Sequence, residues 1–424
     1  MSMTEAVVNE VSGYRLWADL QEVAQFGARP DGGVGRLALD DNDVKARRWL
    51  VDRARELGCT PRVDPVGNIF LRREGTEPSL PAVSTGSHID SQPAGGAYDG
   101  IYGVLGGLAV LRALQKVNAT HRRSIEVIAW TNEEGVRFAP GTTGSSAFVG
   151  ERSLEETRRI VGTDGVTFGE AADICVKRLQ DAGVALCDLG GAMHAFVELH
   201  IEQGPILEMA SADVGVVTGI QGVRWYKITV RGMANHAGTT PRRARKDALE
   251  GAVELANALR VLAKDDEDIT RFTIGRFHLS PDSINTIPDT ATFTVDLRHP
   301  DEKVLDKLEQ EFRRLTAKEW AGCSAAIEVL SKIPSVTFPS SITGVIEKSA
   351  QDLALNAPRL VSGAFHDSMF LARHCATGMI FIPCAGGLSH HPAESITPRH
   401  AVSGARLVAA TLLRLATSAQ AGNS

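Results

Sequence analysis

The stretch from Ala82 to Trp130 constrains this chain more than any other. Ala82-Val-Ser-Thr and Ser124-Ile-Glu-Val-Ile-Ala-Trp read as buried strands, and residues 101–117 between them as a helix with an apolar, glycine-softened face. Such alternation argues for an α/β layer with a largely parallel sheet. The first strand leads into Thr85-Gly-Ser-His-Ile-Asp-Ser-Gln92, and the second into Glu133-Glu134, with Asp99 between them. His88 and Glu133 then lie just past strand C-termini, the edge of an open α/β sheet where ligand sites form.

The remaining pattern divides the chain. Residues 14–25 and 41–57 read as amphipathic helices, with Asp40 or Asp41 as N-cap, and 68–72 and 196–200 as strands. The style changes near Gly219. Strand 225–231, helix 244–263, strands 272–277 and 292–298, helix 302–320 and strand 326–330 make a unit of the size of a separate α+β domain. After Pro334 the α/β style resumes, with a helix from Ile342, a strand at 379–382 and a closing helix at 402–416. The expected organisation is a discontinuous domain, 1–221 with 334–424, interrupted by an insertion at 222–333. A chain of 424 residues also exceeds what one core usually serves.

Composition narrows the function class. Hydrophobic residues at 43% and charged residues at 23% are ordinary for a soluble globular protein. A net charge of −6 without a sizeable basic cluster argues against nucleic-acid binding. The apolar runs are too short for a membrane span, and residues 1–14 lack the apolar region of a secretory signal. Six scattered cysteines without Cys-x-x-Cys read as reduced, mostly buried thiols, and the expected location is cytoplasmic. The small, polar tail 417–424 is expected to fray.

Two further histidines have unusual settings: His200 in Glu-Leu-His-Ile-Glu-Gln-Gly and His390 in Gly-Leu-Ser-His-His-Pro-Ala-Glu. Alone, a histidine at a strand end is a packed residue and an acidic pair is a solvated turn. Together, three imidazoles, one carboxylate to bridge and one to bind terminally would hold two divalent metals close enough to activate water and polarise a carbonyl. Asp90, two residues after His88, supplies a carboxylate to orient a ligating imidazole. The glycines of Gly95-Gly-Ala-Tyr-Asp-Gly100 allow tight turns around Asp99. Adjacent Glu133 and Glu134 can divide the work, one on a metal and the other as base. This His/carboxylate set suits Zn, Mn, Co and Ni. His391 follows His390 immediately, so both do not easily face one metal.

The runs GSHIDS, GGAYDG, TNEEGVRFAPGTTGSSAF, ELHIEQGP, GMANHAGTTP, DSINTIP, VDLRHP and GLSHHPAE carry a resemblance. Over roughly residues 15–418 the chain resembles the hydantoinase/carbamoylase amidase branch of the M20 metallopeptidase family. That branch includes N-carbamoyl-L-amino-acid hydrolases, β-ureidopropionases and allantoate amidohydrolases. The resemblance implies an α/β di-metal catalytic domain, with a largely parallel central sheet flanked by helices, plus an inserted, smaller α+β, ferredoxin-like lid and dimerisation domain. It implies that His88 and His200 bind one metal, Glu134 and His390 the other, and that Asp99 bridges. Glu133 matches the general base, and Gln203, His236, Asn285 and Arg298 match substrate-holding residues. Arg298, at a strand end, offers a planar fork for a substrate carboxylate, although alone it would read as a surface cation.

The implied reaction is hydrolysis of an N-carbamoyl-L-amino acid to the amino acid, carbon dioxide and ammonia, with two divalent ions, Zn2+ or Mn2+, and Co2+ or Ni2+ as substitutes. The alternative is allantoate amidohydrolysis. An M20 exopeptidase ranks lower, because the Gln203-Gly204 element resembles the amidase branch. An inactive binding protein on the same fold ranks lower still, because Glu133 and every ligand are present. The implied partners are a small ureido acid and a second copy of the chain, paired through the insertion, with hinges near 219–222 and 333–338. One departure stands out: the family often reads Ser-Gly-Ala-Gly-His-Asp-Ala where this chain has Ser362-Gly-Ala-Phe-His-Asp-Ser368. Phe365 is expected to narrow the pocket if His366 lies near the substrate.

Overall fold

The computed structural model describes residues 1–418, and the last six residues of the tail expected to fray lie outside them. The chain divides into two compact units, Met1–Thr218 with Phe338–Ser424, and Gly219–Thr337.

The first unit is built on a mainly parallel sheet. Its strands run in the order Gly215–Ile220, Ala376–Ile382, Met193–Ile201, Ala82–His88, Ile125–Trp130, Ile69–Arg73, Thr60–Val63 and Ala185–Leu186. The middle strands, from 376–382 across to 125–130, are parallel, and 215–220 and 69–73 flank them antiparallel. Side chains alternate between the two faces, and both faces are covered. Val83, Ile125, Val127, Val197, Leu199 and Ile380 enter a core shared with helices Ile101–Lys116 and Pro398–Thr417. Ile128, Trp130 and Phe196, of the opposite parity, pack with Phe70 and Phe148. The 101–116 helix lies very close to the sheet, since a Cβ on Gly103 would fall 2.1 Å from the carbonyl oxygen of Leu199.

The second unit is ferredoxin-like. Its antiparallel sheet runs in the order Arg271–Ser280, Thr290–His299, Gly222–Arg231 and Ser324–Ile333. Helices Ala248–Ala263 and Glu302–Thr316 cover one face, over Tyr226, Ile228, Val230, Phe293, Val295 and Leu297. Both helices are shorter than periodicity suggests. Asp247 accepts from the amides of Leu249 and Glu250, so the first helix starts at Ala248, and residues 242–244 form a separate 3-10 turn. The second ends at Thr316 because Ala321 and Gly322 take positive φ, turning Trp320 back to pair with Cys323.

All six cysteines are free; Cys59, Cys175, Cys323 and Cys384 are buried, and Cys187 and Cys375 half-buried. Among the described residues, no helix is long and apolar enough to cross a membrane.

Candidate metal centre

Parallel register builds the first part of the site. Gly86 pairs with Glu198, so two residues further on His88 and His200 emerge side by side at the C-terminal edge, with ring centroids 5.8 Å apart. Each ring is oriented by a main-chain carbonyl: His88 Nδ1 lies 2.9 Å from Asp90 O, and His200 Nδ1 2.9 Å from Ile201 O. A carbonyl only accepts, so Nδ1 carries the hydrogen in each ring, and in the neutral form Nε2 presents its lone pair. Asp99 Oδ1 lies 3.1 Å from His200 Nε2 and 3.8 Å from His88 Nε2, and Glu133 Oε2 lies 3.6 Å from His88 Nε2. His200 Nε2 is fully buried and has no aligned hydrogen-bond partner. Acceptors converging on one buried point without a donor fit a cation, and a burial this complete is costly without one.

The other oxygen of Asp99 serves a second group. Oδ2 lies 3.4 Å from His390 Nε2, which is 3.5 Å from Glu134 Oε2. The amide of Gln203 donates to Asp99 Oδ2 at 2.9 Å, and that of Gln92 to Glu134 Oε2 at 2.6 Å. Among the described residues, three sets of side chains could hold a metal ion: His88, Asp99 and His200; Asp99, Glu134 and His390; and Glu198, His200 and His366. The third competes for His200, and its Glu198 already accepts from Ser87 Oγ at 2.7 Å and from the Ser368 amide at 2.9 Å. The donor sets of the first two are therefore the better fit. His390 and Gln203 hold φ of 55° and 57°, sparsely populated for side-chain-bearing residues and common at functional sites.

Asp90 works differently from the sequence expectation. Its carboxylate is 3.9 Å from His88 Nδ1, and its main-chain oxygen makes the close contact instead. The freed carboxylate accepts from the amides of Glu133 and Glu134, at 3.3 and 3.2 Å. One residue thus orients His88 and fixes the acidic pair.

The electrostatics follow from crowded, buried acids. Burial first, then the carboxylates of Asp367 and Glu134, holds Glu133 far above the usual range, and burial with Asp99 raises Glu134 to about 8. Burial works to lower His200, but Asp99 overcomes it and lifts the imidazole to about 9, a proton standing where a cation would. Burial would raise Asp99, yet His200 and His390 hold it well below its ordinary value. His88 is pushed down to about 4 by burial.

The other candidate residues lie in the second unit. His236, on the exposed strand Asn235–His236, accepts at Nδ1 from the amides of Gly238 and Thr239, which leaves Nε2–H as a donor. Asn285 is exposed; its main-chain oxygen accepts from Ala237 at 3.0 Å. The Arg298 fork is bidentate on Asp296, at 2.9 and 2.8 Å. His391 points elsewhere, accepting from the Ala393 amide. His366 is buried behind His200, with ring centroids 4.5 Å apart, and Phe365 is half-buried. Sequence reasoning passed over Gln92, Glu198, Ser389 and Glu394, although each sits in the same short run as a candidate ligand. A surface hollow of about 500 Å³ lined by Phe26 and Trp49 has no comparable chemistry, since its Arg48 and Arg178 are paired with Asp52 and Asp41.

A mainly parallel α/β sheet whose C-terminal edge gathers three histidines and three acids is the architecture of a metal-dependent hydrolase. The chain belongs to the peptidase family M20/M25/M40, which matches residues 85–414. It is similar to an N-carbamoyl-L-amino-acid amidohydrolase of Rhizobium meliloti, 36% identical over 96% of this chain and 97% of that one. A ureidoglycolate hydrolase of Oryza sativa subsp. japonica is 38% identical over 94% of this chain and 84% of its own length. An allantoate amidohydrolase of Bacillus subtilis is 33% identical over 97% and 98%. Among solved structures, a hydantoinase/carbamoylase family amidase from Burkholderia multivorans has a TM-score of 0.90 at 42% identity, covering 96% of this chain and 99% of that one. The chain is accordingly a hydrolase of the amidohydrolase kind.

Proposed function

We propose that the chain hydrolyses the carbamoyl C–N bond of an N-carbamoyl-L-amino acid, using two divalent cations. The observation that carries this reading is the donor-free convergence of His88, His200 and Asp99 Oδ1, backed by His390 and Glu134 about Asp99 Oδ2. Allantoate and ureidoglycolate stand level as substrates, since relatives bearing those names are comparably similar. All three substrates share a ureido group and a carboxylate. Turnover of a panel of N-carbamoyl-L-amino acids, allantoate and ureidoglycolate, with Zn2+ or Mn2+ added in turn, tests the reading; no turnover of any ureido acid would reject it.

In this reading His88 and His200 would hold one cation and Glu134 and His390 the other, with Asp99 offering one oxygen to each group. Such a pair lowers the pKa of water and polarises a carbonyl. Glu133 takes the proton of the attacking water and passes it to the departing nitrogen. Water adds to the ureido carbon and its bond to the amino-acid nitrogen breaks, releasing the amino acid and carbamic acid, which then breaks down on its own to carbon dioxide and ammonia. Gln203, His236, Asn285 and Arg298 bind the substrate, with Arg298 turning from Asp296 to the substrate carboxylate and His236 donating from Nε2 to the carbonyl oxygen.

We also propose a homodimer. The supporting observation lies within the second unit. Arg298 pairs with Val223 at one end of a strand ladder and Thr290 with Arg231 at the other, a separation of about 27 Å at the usual rise per residue. The ladder continues through Gly232 and Asp289 to His236 and Thr286, so His236 and Asn285 lie beyond the end remote from Arg298. A small ureido acid does not span that distance, so Arg298 and His236 on one substrate would come from two copies. Closure would use hinges near 219–222 and 333–338. The free thiols fit a reducing, cytoplasmic location.

A further inference from the structure

One buried acid beside the centre has no part in the reading above. Glu394 closes the run Ser389-His-His-Pro-Ala-Glu394 and is 4% exposed. Its Oε1 accepts from the main-chain amides of Tyr98 and Asp99, both at 3.1 Å. Its Oε2 faces Ser389 Oγ at 3.0 Å, and that hydroxyl is 3.2 Å from Asp99 Oδ2. The pocket for this carboxyl is built, because a Cβ on Gly96 would lie 2.1 Å from Glu394 Oε1. The Glu394 amide donates to His391 O at 3.0 Å, which closes the turn that carries His390.

One side chain therefore ties the loop of Asp99 to the loop of His390, segments nearly three hundred residues apart in the chain. His88 and His200 need no such tie, since strand ends and the carbonyls of Asp90 and Ile201 fix them. His390 has no strand beneath it, and its side chain is 50% exposed. We propose that Glu394 is a positioning residue that sets His390 against Asp99 Oδ2 and so selectively builds the second of the two cation sites, an inference that rests on the two-metal reading.

The test is metal binding by the full-length protein, stripped with chelator and titrated calorimetrically with Zn2+ alone. Wild type is expected to take two equivalents. Glu394→Ala should keep one tight equivalent and weaken the other by about ten- to a hundredfold, the usual effect of losing a residue that supports a ligand. Glu394→Gln should restore both, because its carbonyl accepts the two amides and its NH2 donates to Ser389 Oγ, whose own hydrogen remains for Asp99. If Glu394→Ala does not fold, Ser389→Ala should show the same selective weakening. Glu394→Ala binding both equivalents as wild type does, losing both in parallel, or behaving no worse than Glu394→Gln would overturn the proposal while leaving the two-metal reading intact. A wild type that takes fewer than two equivalents would sink that reading, and this inference with it.

Discussion

His200 Nε2 and Asp99 Oδ1 stand 3.1 Å apart, buried and out of line for a hydrogen bond. In the metal-free state a proton on His200 answers the Asp99 charge, and on the two-metal reading a cation would take that proton's place. Asp99→Asn offers an amide donor to His200 instead, and should lose both metals on dialysis. In the chelator-treated state, below about pH 9, it should be less stable than wild type, because the attraction between protonated His200 and the Asp99 carboxylate is lost. Elemental analysis and thermal melts check this, and an Asp99→Asn protein that keeps two metals would contradict the bridging role.

Glu133 approaches His88 but is spared from the better ligand sets, which suits a base. Glu133→Gln should retain two metals and lose about a hundred- to ten-thousandfold in kcat, the range of general acid–base contributions. Near-normal kcat with metals in place would assign the proton transfer elsewhere.

Gly100 has φ of 66°, and a Cβ there would lie 2.3 Å from the His88 ring. Gly100→Ala should cost about 1–3 kcal/mol from backbone strain and displace His88. The expected result is lower denaturant resistance together with loss of the metal shared by His88 and His200. Unchanged metal content would show that the ring can yield.

On the two-metal reading, protons and metals compete at this centre. In the metal-free protein Asp90, Glu134 and His200 have folded-state values of about 7, 8 and 9, all raised above their unfolded values. Their stabilising contribution is complete below the unfolded values and is lost as pH rises through the folded ones. His88, depressed to about 4, acts oppositely and only below its unfolded value near pH 6.5. Between about pH 6.5 and 9 the metal-free protein should therefore weaken, and the gain in Tm from metal should widen, with protons released on binding. Paired melts with and without chelator across that range check the sign; a gain that narrows as pH rises would refute it.

Arg298→Ala should reduce kcat/KM by about ten- to a hundredfold on carboxylated ureido acids, the worth of a charge-assisted hydrogen bond. A neutral carbamoyl amide should be far less affected. Equal losses on both substrates would mean that the Arg298–Asp296 pair is structural.

Residue pattern foretold much of this architecture, and the reasons are local. The all-buried strands 82–88 and 125–130 and the Asp40-capped helix announce themselves through composition and caps. Thr60–Val63, Gly215–Ile220, the short helices Thr143–Phe148 and Leu154–Arg158 and the longer helix Phe168–Asp181 went unread; the first four are too brief to show a period. At the site, ligand-type side chains were legible from their odd settings. The supports were not: Asp90 uses its main chain on His88, and Glu394 accepts from the Asp99 amide 295 residues away in the chain. Such contacts exist only in three dimensions, and no spacing encodes them.

The scattered origin of the centre also orders its birth. His88, Asp99, Glu134 and His200 are all synthesised before the second unit, so the residues of one cation site are present on a half-synthesised chain. His390 arrives only after that unit has been threaded through and the sheet has received the Ala376–Ile382 strand. A chain cut short between His200 and His390 would carry the ligands of the first cation site but lack a ligand of the second, so on the two-metal reading chemistry waits on synthesis of the last fragment.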